Sequence, residues 1–228
     1  MKQTSIMYGI TAVCEWIMRF SVINILWIIF NFPISWLVLN LIFANDWSSL
    51  IIFFILIVLL APIVFFPATQ AMFAVVREWI LGHESNSLIK SYWHHYKKNY
   101  RKSTITGFIM TTLWLGLLTN IVYFSQSNAL LMFLLIFLGV VLFVFTVNFF
   151  SVMAHYHLGI KDLMKNTFAI TFGSPLLFIT IIICGVLLVY ICSQAWYVLT
   201  FFAGSLFAFL SFSAFYRLFL KLLKGKQQ

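Results

Sequence analysis

Charged residues are scarce in this chain of 228 residues, where Lys, Arg, Asp and Glu together make up 8%. A soluble globular protein carries about 25% charged residues because its surface must face water. Hydrophobic residues instead reach 63%, and the mean hydropathy is +1.04. This composition excludes a soluble domain, a disordered tail, a disulfide-rich secreted module and a nucleic-acid-binding protein. It indicates a protein whose surface faces lipid.

Cysteine is also rare, with three positions at Cys14, Cys184 and Cys192. Cys184 and Cys192 fall in one predicted helix, about 12 Å apart along its axis. That separation is too large for a disulfide between them. Because no C-x-x-C spacing occurs either, we expect three free thiols.

Motifs for catalysis or metal binding are missing as well. The sequence contains no G-x-S-x-G, no H-E-x-x-H and no glycine-rich phosphate loop. Cys or paired acidic residues that would complete a metal site do not accompany the histidines. We therefore expect no catalytic site, no metal and no cofactor, and we do not expect an enzyme. The five histidines are His83, His94, His95, His155 and His157.

Long apolar runs dominate what is present. Six of them have about 18 residues or more, the length that crosses a hydrocarbon core of about 30 Å. They are continuous and too long for barrel strands of about ten residues. The sequence therefore predicts an all-α polytopic membrane protein, a single membrane domain over residues 1–228. The predicted spans are residues 21–44, 49–66, 104–124, 129–154, 175–192 and 196–218.

Lys and Arg are sorted to one side of these spans. That side receives the N-terminus, residues 68–103, residues 155–174 and the C-terminal tail, which together hold all 14 Lys and Arg. The other side receives short turns whose single charge is Asp46. Because cytoplasmic loops retain positive charge, we expect a multi-pass protein of the cell membrane with both termini cytoplasmic. Glu15 and Arg19 precede the first span, which is predicted to be a retained anchor.

Three amphipathic segments are predicted on the cytoplasmic side, at residues 1–20, 81–103 and 155–174. The first contains a Glu15–Arg19 pair at i, i+4 spacing. The second combines apolar and aromatic residues with cations, as helices at the headgroup layer do. Two interpretations stay open: these residues bind anionic headgroups of the inner leaflet, or they form a docking surface for a partner protein. The positions of the second segment are Ile89, Lys90, Tyr92, Trp93, His94, Tyr96, Lys97, Lys98, Tyr100 and Arg101.

Polar residues are few inside the spans, and the middle third of each span contains no Asp, Glu, Lys or Arg. Asn31 and Pro33 lie at the centre of the first span. Pro33 removes a backbone hydrogen bond there, and we expect Asn31 to satisfy the freed carbonyl. This kink serves either packing or a substrate path. The other polar residues are expected to bond between helices: Asn40, Thr111, Thr112, Asn120, Asn148, Ser151, Ser211 and Ser213.

Small residues share one face of the last span. Gly204, Ala208 and Ser211 follow the spacing that lets two helices approach closely. We interpret them as an association face, used either within this chain or with another.

Two runs resemble a known family. FPATQAMFAVVREW at residues 66–79 and YWHHYKKNY at residues 92–100 look like the signature of the YesL-like family of bacterial integral membrane proteins. A later run, AHYHLGIK at residues 154–161, is similar to that family's second inner segment. The resemblance implies a domain of unknown function whose genes often lie beside those for carbohydrate uptake, and so an accessory role in sugar import.

The signature residues also have a physical interpretation as a rigid corner. Pro67 is expected to end the second span at the membrane boundary. Ala68 and Ala71 are expected to allow close packing. Aromatic anchoring at the interface is expected of Trp79, Tyr92 and Trp93. The other signature positions are Met72, Phe73, Arg77, Lys97 and Asn99.

Two functions are compatible with these features. The first is a non-catalytic accessory or assembly subunit associated with carbohydrate uptake, which contacts a transporter permease subunit or a second copy of itself. The alternative is a small six-helix carrier or channel in its own right, with the Asn31–Pro33 kink lining a path. A polar cavity reaching Asn31 would favour the carrier. An outward-facing Gly204, Ala208 and Ser211 would favour the subunit.

The predicted orientation can be tested with reporter fusions. A fluorescent protein that folds only in the cytoplasm should be active at the C-terminus, because the basic segments are predicted to stay inside. Alkaline phosphatase, which is active only outside, should be active after Asp46. Activity of the two reporters at the exchanged positions would contradict the orientation.

Overall fold

The computed structural model describes residues 2–83 and 87–225, and every regular element in these ranges is a helix. Two π-helical segments, Ala61–Phe65 and Leu199–Ala203, interrupt the α-helices. This confirms the predicted all-α class. The α-helices are α1 (Lys2–Phe30), α2 (Phe32–Phe43), α3 (Trp47–Leu60), α4 (Phe66–Ile80), α5 (Leu88–Phe124), α6 (Ala129–His155), α7 (Ile160–Gly173), α8 (Pro175–Gln194), α9 (Trp196–Val198) and α10 (Gly204–Gly225).

Six helical stretches are long and apolar enough to cross a membrane, which confirms the polytopic architecture. Each of them overlaps a predicted span. The first agrees least, because it ends at Phe30 and the predicted span 21–44 is divided between α1 and α2. With 12 residues, α2 is about 18 Å long and shorter than a hydrocarbon core. The six stretches are Gly9–Phe30, Trp47–Ile80, Leu88–Phe124, Ala129–His155, Pro175–Gln194 and Leu199–Lys224.

The division between α1 and α2 falls at Asn31. Its Nδ2 donates to the carbonyl of Trp27 at 2.8 Å, and its backbone N–H donates to the same carbonyl at 3.0 Å. Pro33 lies in the first turn of α2, and its missing N–H frees the carbonyl of Ile29. The prediction that Asn31 satisfies that carbonyl is therefore wrong. A polar side chain bonding along its own helix reaches back one full turn, here to Trp27.

The predicted amphipathic segments belong to helices of different lengths. Residues 2–30 form one continuous helix that carries the expected Glu15–Arg19 ion pair, so no boundary falls at residue 20. The second segment is the first part of α5, a helix of 37 residues and about 55 Å. The third is a separate helix, α7.

The second long stretch passes through two prolines without breaking. The π-helical segment Ala61–Phe65 contains Pro62, and the N–H of Phe66 bonds to a carbonyl five residues earlier. This wider winding accommodates Pro62, and the helix continues through Pro67 into α4. The prediction that Pro67 ends the span is therefore wrong.

Gly107 of α5 lies against this wider turn. A Cβ at Gly107 would lie 2.9 Å from the Cα of Pro62 and 3.0 Å from the Cβ of Phe66. Real Cβ atoms do not approach backbone this closely, so the contact between α5 and the π-helical segment requires glycine at this position.

The core of the bundle is built around α4. Twelve of its 15 residues are buried, and it packs against α1, α5, α6 and α10. In α2 and α3, by contrast, all residues are partly or fully exposed. These two helices form a hairpin with an exposed, mainly apolar surface.

We call the end of the bundle where α4 and α6 terminate and α5 and α7 begin the basic end. The Nζ of Lys102 on α5 donates there to the backbone carbonyl of Leu158. The ring of His155, the last residue of α6, lies 4.4 Å from that of Phe219 near the end of α10. These contacts join α5 to the segment before α7, and the end of α6 to the last part of α10.

The turn between α2 and α3 contains an acidic cap. Asp46 accepts hydrogen bonds from the hydroxyls of Ser49 at 2.5 Å and Ser48 at 2.9 Å. These bonds, with Ser49 the stronger, hold the pKa of the exposed Asp46 carboxyl below its usual value. The cap fixes the beginning of α3.

One buried amide joins the first and last long helices. The Oδ1 of Asn24 accepts the backbone N–H groups of Gly204 at 2.9 Å and Ser205 at 3.1 Å. Its Nδ2 donates to the carbonyls of Leu199 at 3.1 Å and Thr200 at 2.6 Å. The change from π to α winding leaves backbone groups without regular helical partners. Asn24, which is fully buried, supplies four of these bonds.

Asn24→Leu should strongly destabilise the protein, because four backbone groups lose their partner inside an apolar bundle. We expect a loss of about 3 kcal/mol or more in the free energy of unfolding. Unfolding in mixed detergent micelles, followed by tryptophan fluorescence, measures it.

Asn40→Leu is the matched control. The Nδ2 of Asn40 donates only to the carbonyl of Trp36 in its own helix. Its loss should change the free energy of unfolding by about 0.5 kcal/mol or less. Equal effects of the two substitutions would show that Asn24 does not hold α10 in place.

Candidate functional site

The signature residues lie where α4 packs against the first part of α5, and we call residues 66–79 with 91–99 the signature corner. The hydroxyl of Tyr92 donates to the carbonyl of Ala68 at 2.9 Å, and both residues are fully buried. Ala71 is also fully buried, as expected for a position of close packing. The buried signature residues are Pro67, Ala68, Ala71, Met72, Phe73, Trp79 and Tyr92, the half-buried ones are Arg77 and Asn99, and the exposed ones are Trp93 and Lys97.

Two of the three predicted interfacial anchors are inside the bundle. Trp79 is 9% exposed and packs edge-on against Trp16, with ring centroids 6.0 Å apart. Tyr92 lies beside Phe30, with ring centroids 5.2 Å apart. The prediction is wrong for Trp79 and Tyr92, because enclosed side chains cannot reach the headgroup layer. Trp93 is 45% exposed, and its anchoring role stays a prediction.

A cluster of polar side chains links α4 to α5 at the signature corner. The carboxylate of Glu78, near the end of α4, accepts hydrogen bonds from the hydroxyl of Ser91 at 2.6 Å and from Nε2 of His95 at 2.7 Å. The Glu78 and His95 side chains are 23% and 13% exposed. Hydrogen bonds to an ionised carboxylate are roughly twice as strong as neutral ones. This cluster therefore holds the start of α5 against the end of α4.

On the opposite side of the same turns of α5, the side chains of Trp93 and Lys97 are exposed. The Trp93 ring lies 3° from parallel with the Tyr96 ring, with centroids 5.8 Å apart. The Nζ of Lys97 lies 4.6 Å from the centroid of the Trp93 ring, a cation–π contact. We call this surface the cation–aromatic face. Trp93 and Lys97 of this face line a shallow depression together with Lys90, His94 and Lys98.

The small residues of α10 face into the bundle. Ala208 is fully buried and Ser211 is 1% exposed. A Cβ on Gly204 would lie 2.8 Å from the Oδ1 of Asn24 and 3.6 Å from Met72. The association face is therefore used within the chain, where α10 meets α1 and α4. These residues do not face outward, so they give the subunit interpretation no support.

The polar residues inside the helices bond mainly to their own backbone. Asn40, Thr112 and Asn120 each reach a carbonyl four residues earlier in the same helix. Asn148 behaves as predicted, because its Nδ2 donates across to the hydroxyl of Thr171 at 3.1 Å, joining α6 to α7. A helical carbonyl one turn back is always within reach, so it competes with any partner on another helix.

The described ranges contain no cluster of side chains suited to bind a metal ion. Within residues 2–83 and 87–225, no three His, Cys, Asp or Glu side chains converge as ligands. The rings of His94 and His95 lie 5.6 Å apart, but His95 is bonded to Glu78. The cysteines are free thiols.

Sequence reasoning missed two buried amides. Asn24 lies in the same apolar run as Asn31. An amide side chain within an apolar run is costly to bury, and this was the signal in the sequence that could have identified Asn24. Gln70 is fully buried in the middle of the signature, and neither polar atom of its side chain has a partner among the described residues.

The fold and the site define a polytopic, all-helical membrane protein with a buried signature helix. Residues 20–121 match a family described as "Protein of unknown function, DUF624". The chain is 29% identical to the Bacillus subtilis (strain 168) protein "Uncharacterized protein YesL" over 223 residues, 92% of this chain and 91% of that protein. These matches confirm the predicted resemblance to the YesL-like family.

Two further Bacillus subtilis proteins match about half of the chain. "Uncharacterized protein YteU" is 29% identical over 118 residues, 52% of this chain and 42% of that protein. "Uncharacterized protein YesV" is 29% identical over 112 residues, 47% of this chain and 53% of that protein. No solved structure matches the chain.

Glu78→Ala should loosen the signature corner, because Ser91 and His95 lose a charged acceptor. We expect about 2 kcal/mol of destabilisation and faster amide hydrogen exchange at the start of α5. Glu15→Ala is the control, since Glu15 is 53% exposed and pairs within its own helix. It should cost about 0.5 kcal/mol and leave exchange in α5 unchanged. Unchanged exchange in the Glu78 variant would contradict a fastening role.

Proposed function

We propose that the protein is an accessory or assembly subunit without a catalytic site, associated with carbohydrate uptake, and that it meets its partner through the cation–aromatic face. The observation that carries this proposal is the contrast between two sides of one helical turn. Ser91 and Tyr92 are buried and hydrogen-bonded, whereas the neighbouring Trp93 and Lys97 are exposed. A surface held on such a rigid support loses little conformational entropy when it binds.

The chemistry of the face suits a protein partner. Aromatic residues are enriched in protein interfaces, and the Trp93 ring is already ordered between Tyr96 and Lys97. Its cations also attract anionic headgroups, by about 1 kcal/mol for each Lys near the surface. The face is therefore kept beside the membrane, where a partner in the same bilayer would present its own surface.

The remaining parts of the proposal rest on the sequence. Location in the cell membrane with both termini cytoplasmic follows from the sorting of Lys and Arg, and it would place the basic end inside the cell. Carbohydrate uptake follows from the resemblance to the YesL-like family. A transporter permease subunit is the proposed partner, and self-association is the competing outcome.

A small six-helix carrier or channel is the second candidate. Asn31 favours it, because this residue is 2% exposed, its Oδ1 has no partner among the described residues, and it lies at a helix break. Broken helices line substrate sites in many transporters.

Affinity purification tests the first proposal. The tagged protein is recovered from native membranes in mild detergent, and its partners are identified by mass spectrometry. A carbohydrate-importer permease should be recovered in stoichiometric amount. The double variant Trp93→Ala/Lys97→Ala should lose it at least about tenfold, because an exposed aromatic anchor and its cation are removed.

Trp47→Ala is the control, since Trp47 is an exposed tryptophan at the opposite end of the bundle. It should leave recovery unchanged. Undiminished recovery with the double variant would exclude the cation–aromatic face as the contact. Recovery of the protein alone would overturn the subunit proposal and favour the carrier, for which liposome transport with Asn31→Ala and Pro33→Ala is the corresponding assay.

A further inference from the structure

Three lysines share one stripe of α5 with Trp93. Lys90, Lys97 and Lys98 are exposed, and with Trp93 and His94 they line a depression of about 520 Å³. Residues seven or eight positions apart in an α-helix lie on the same side, about 10–12 Å apart along the axis. One lysine therefore lies about one turn before Trp93, and two lie about one turn after it.

These lysines lack a carboxylate partner in the part of the chain that the structure describes. Throughout residues 2–83 and 87–225, no Asp or Glu forms an ion pair with Lys90, Lys97 or Lys98. The carboxylate of Glu78 lies on the side of α5 that packs against α4, where it accepts a hydrogen bond from Nε2 of His95 at 2.7 Å. Water solvates the exposed ammonium groups. A protein that covers them would remove this water, and each group would then need a negative charge to compensate it.

The aromatic centre of the cation–aromatic face is fixed by two helices. The Trp93 ring lies 5.6 Å from the ring of Phe30, the last residue of α1, and it stacks on the Tyr96 ring of its own helix. A side chain that is already ordered loses little entropy on binding. Tryptophan is also enriched among the residues that contribute most of the binding energy in protein interfaces. The face thus combines a prearranged apolar contact with cations before and after it along the helix.

We infer that the cation–aromatic face binds an acidic segment of the partner protein. An apolar side chain of this segment lies against Trp93, and carboxylates about one turn to either side of it reach the lysines. The inference rests on the proposed function, because it names the chemistry of the partner surface that meets the face. Two acidic residues seven positions apart on a partner helix match the spacing of Lys90 and Lys97. Complementary charges also exclude partners with cations at these positions.

An acidic segment fits this arrangement better than a lipid headgroup does. A headgroup phosphate is compact, whereas Lys90 and Lys97 are about 10 Å apart along the helix axis. Several separate headgroups would have to be immobilised to cover the three lysines, and each would lose its own freedom of movement. The carboxylates of one segment are already connected, so the second and third contacts form within a single complex.

Fluorescence anisotropy with a labelled peptide tests the inference on the purified full-length protein in phosphatidylcholine nanodiscs. The probe is a short helical peptide with a central Leu, a Glu three residues before it and a Glu four residues after it. A comparison peptide has Gln in place of both Glu. We expect the probe to bind about tenfold more tightly than the comparison peptide, and less tightly as the salt concentration rises. No binding of the probe, or equal binding of the two peptides, would overturn the inference.

The triple variant Lys90→Gln/Lys97→Gln/Lys98→Gln locates the binding. It should fold, because all three side chains are exposed. It should weaken binding of the probe by about tenfold, since the compensating cations are gone. Wild-type affinity in this variant would show that the peptide binds elsewhere and would overturn the assignment to the cation–aromatic face.

A second triple variant, Lys161→Gln/Lys165→Gln/Lys221→Gln, is the matched control. It removes the same number of exposed lysines from α7 and α10. It should leave the affinity for the probe unchanged. An equal loss in the two triple variants would show non-specific attraction to a cationic protein and would overturn the inference.

Phosphatidylglycerol is the competing occupant, and it is titrated against phosphatidylcholine during thermal unfolding in a neutral detergent. Stabilisation by phosphatidylglycerol that the Lys90→Gln/Lys97→Gln/Lys98→Gln variant loses, with no binding of the probe peptide, would assign the face to headgroups. That result would overturn the inference.

Affinity purification separates this inference from the subunit proposal. Permease recovery that the Lys90→Gln/Lys97→Gln/Lys98→Gln variant leaves undiminished would overturn the acidic contact but keep the subunit role. Lysine-dependent binding of the probe peptide without any recovered permease would support the acidic contact and overturn the subunit proposal.

Discussion

Lipid offers no hydrogen-bond partner to a peptide group, and this constraint governs every irregular point of the bundle. The last long helix changes from π to α winding inside the apolar interior, and the amide of Asn24 supplies the backbone bonds that this change leaves open. Where α1 ends, Asn31 bonds to its own helix. The shorter connections use side-chain caps from Asp46, Asn128 and Ser174. These departures from regular α-helix are each tied to a particular polar residue, whereas the π-helical segment Ala61–Phe65 is tied to Pro62 and Gly107.

The sequence was sufficient for the architecture because apolar length is a direct measure of what crosses a membrane. The class, the number of long helices and the amphipathic helix α7 follow from hydrophobic runs and charge placement alone. Helix breaks were harder to predict, because a proline in an apolar run can either mark the start of a new helix or be accommodated within a continuing one. Pro33 coincides with the start of a new helix. Pro62 instead lies within a π-helical turn, and Pro67 lies in the first turn of α4, which continues from it. That choice depends on a neighbour distant in sequence, since the wide turn is seated against Gly107.

The candidate site was predicted as a set of residues but not as an arrangement. Periodicity placed Tyr92, Trp93 and Lys97 on one amphipathic segment, yet Tyr92 is sealed inside while the other two are exposed. Only the packing of α4 against α5 distinguishes them, and pattern alone does not contain that contact. The same limit explains the small residues of α10, whose spacing indicated close approach but could not say to which helix. It explains Asn24 as well, because its bonding partners lie more than 170 residues away in the chain.

Mechanically, α5 is a single stiff rod. Its 37 residues run without proline from the cation–aromatic face, through the tight contact at Gly107, to the far side of the bundle. A rod seated at an intermediate point acts as a lever. Any force that tilts its beginning at Trp93 is carried to its end at Phe124, and the displacement there has the opposite direction. A binding event that tilted the beginning of α5 would therefore displace its far end without any change in the helix itself.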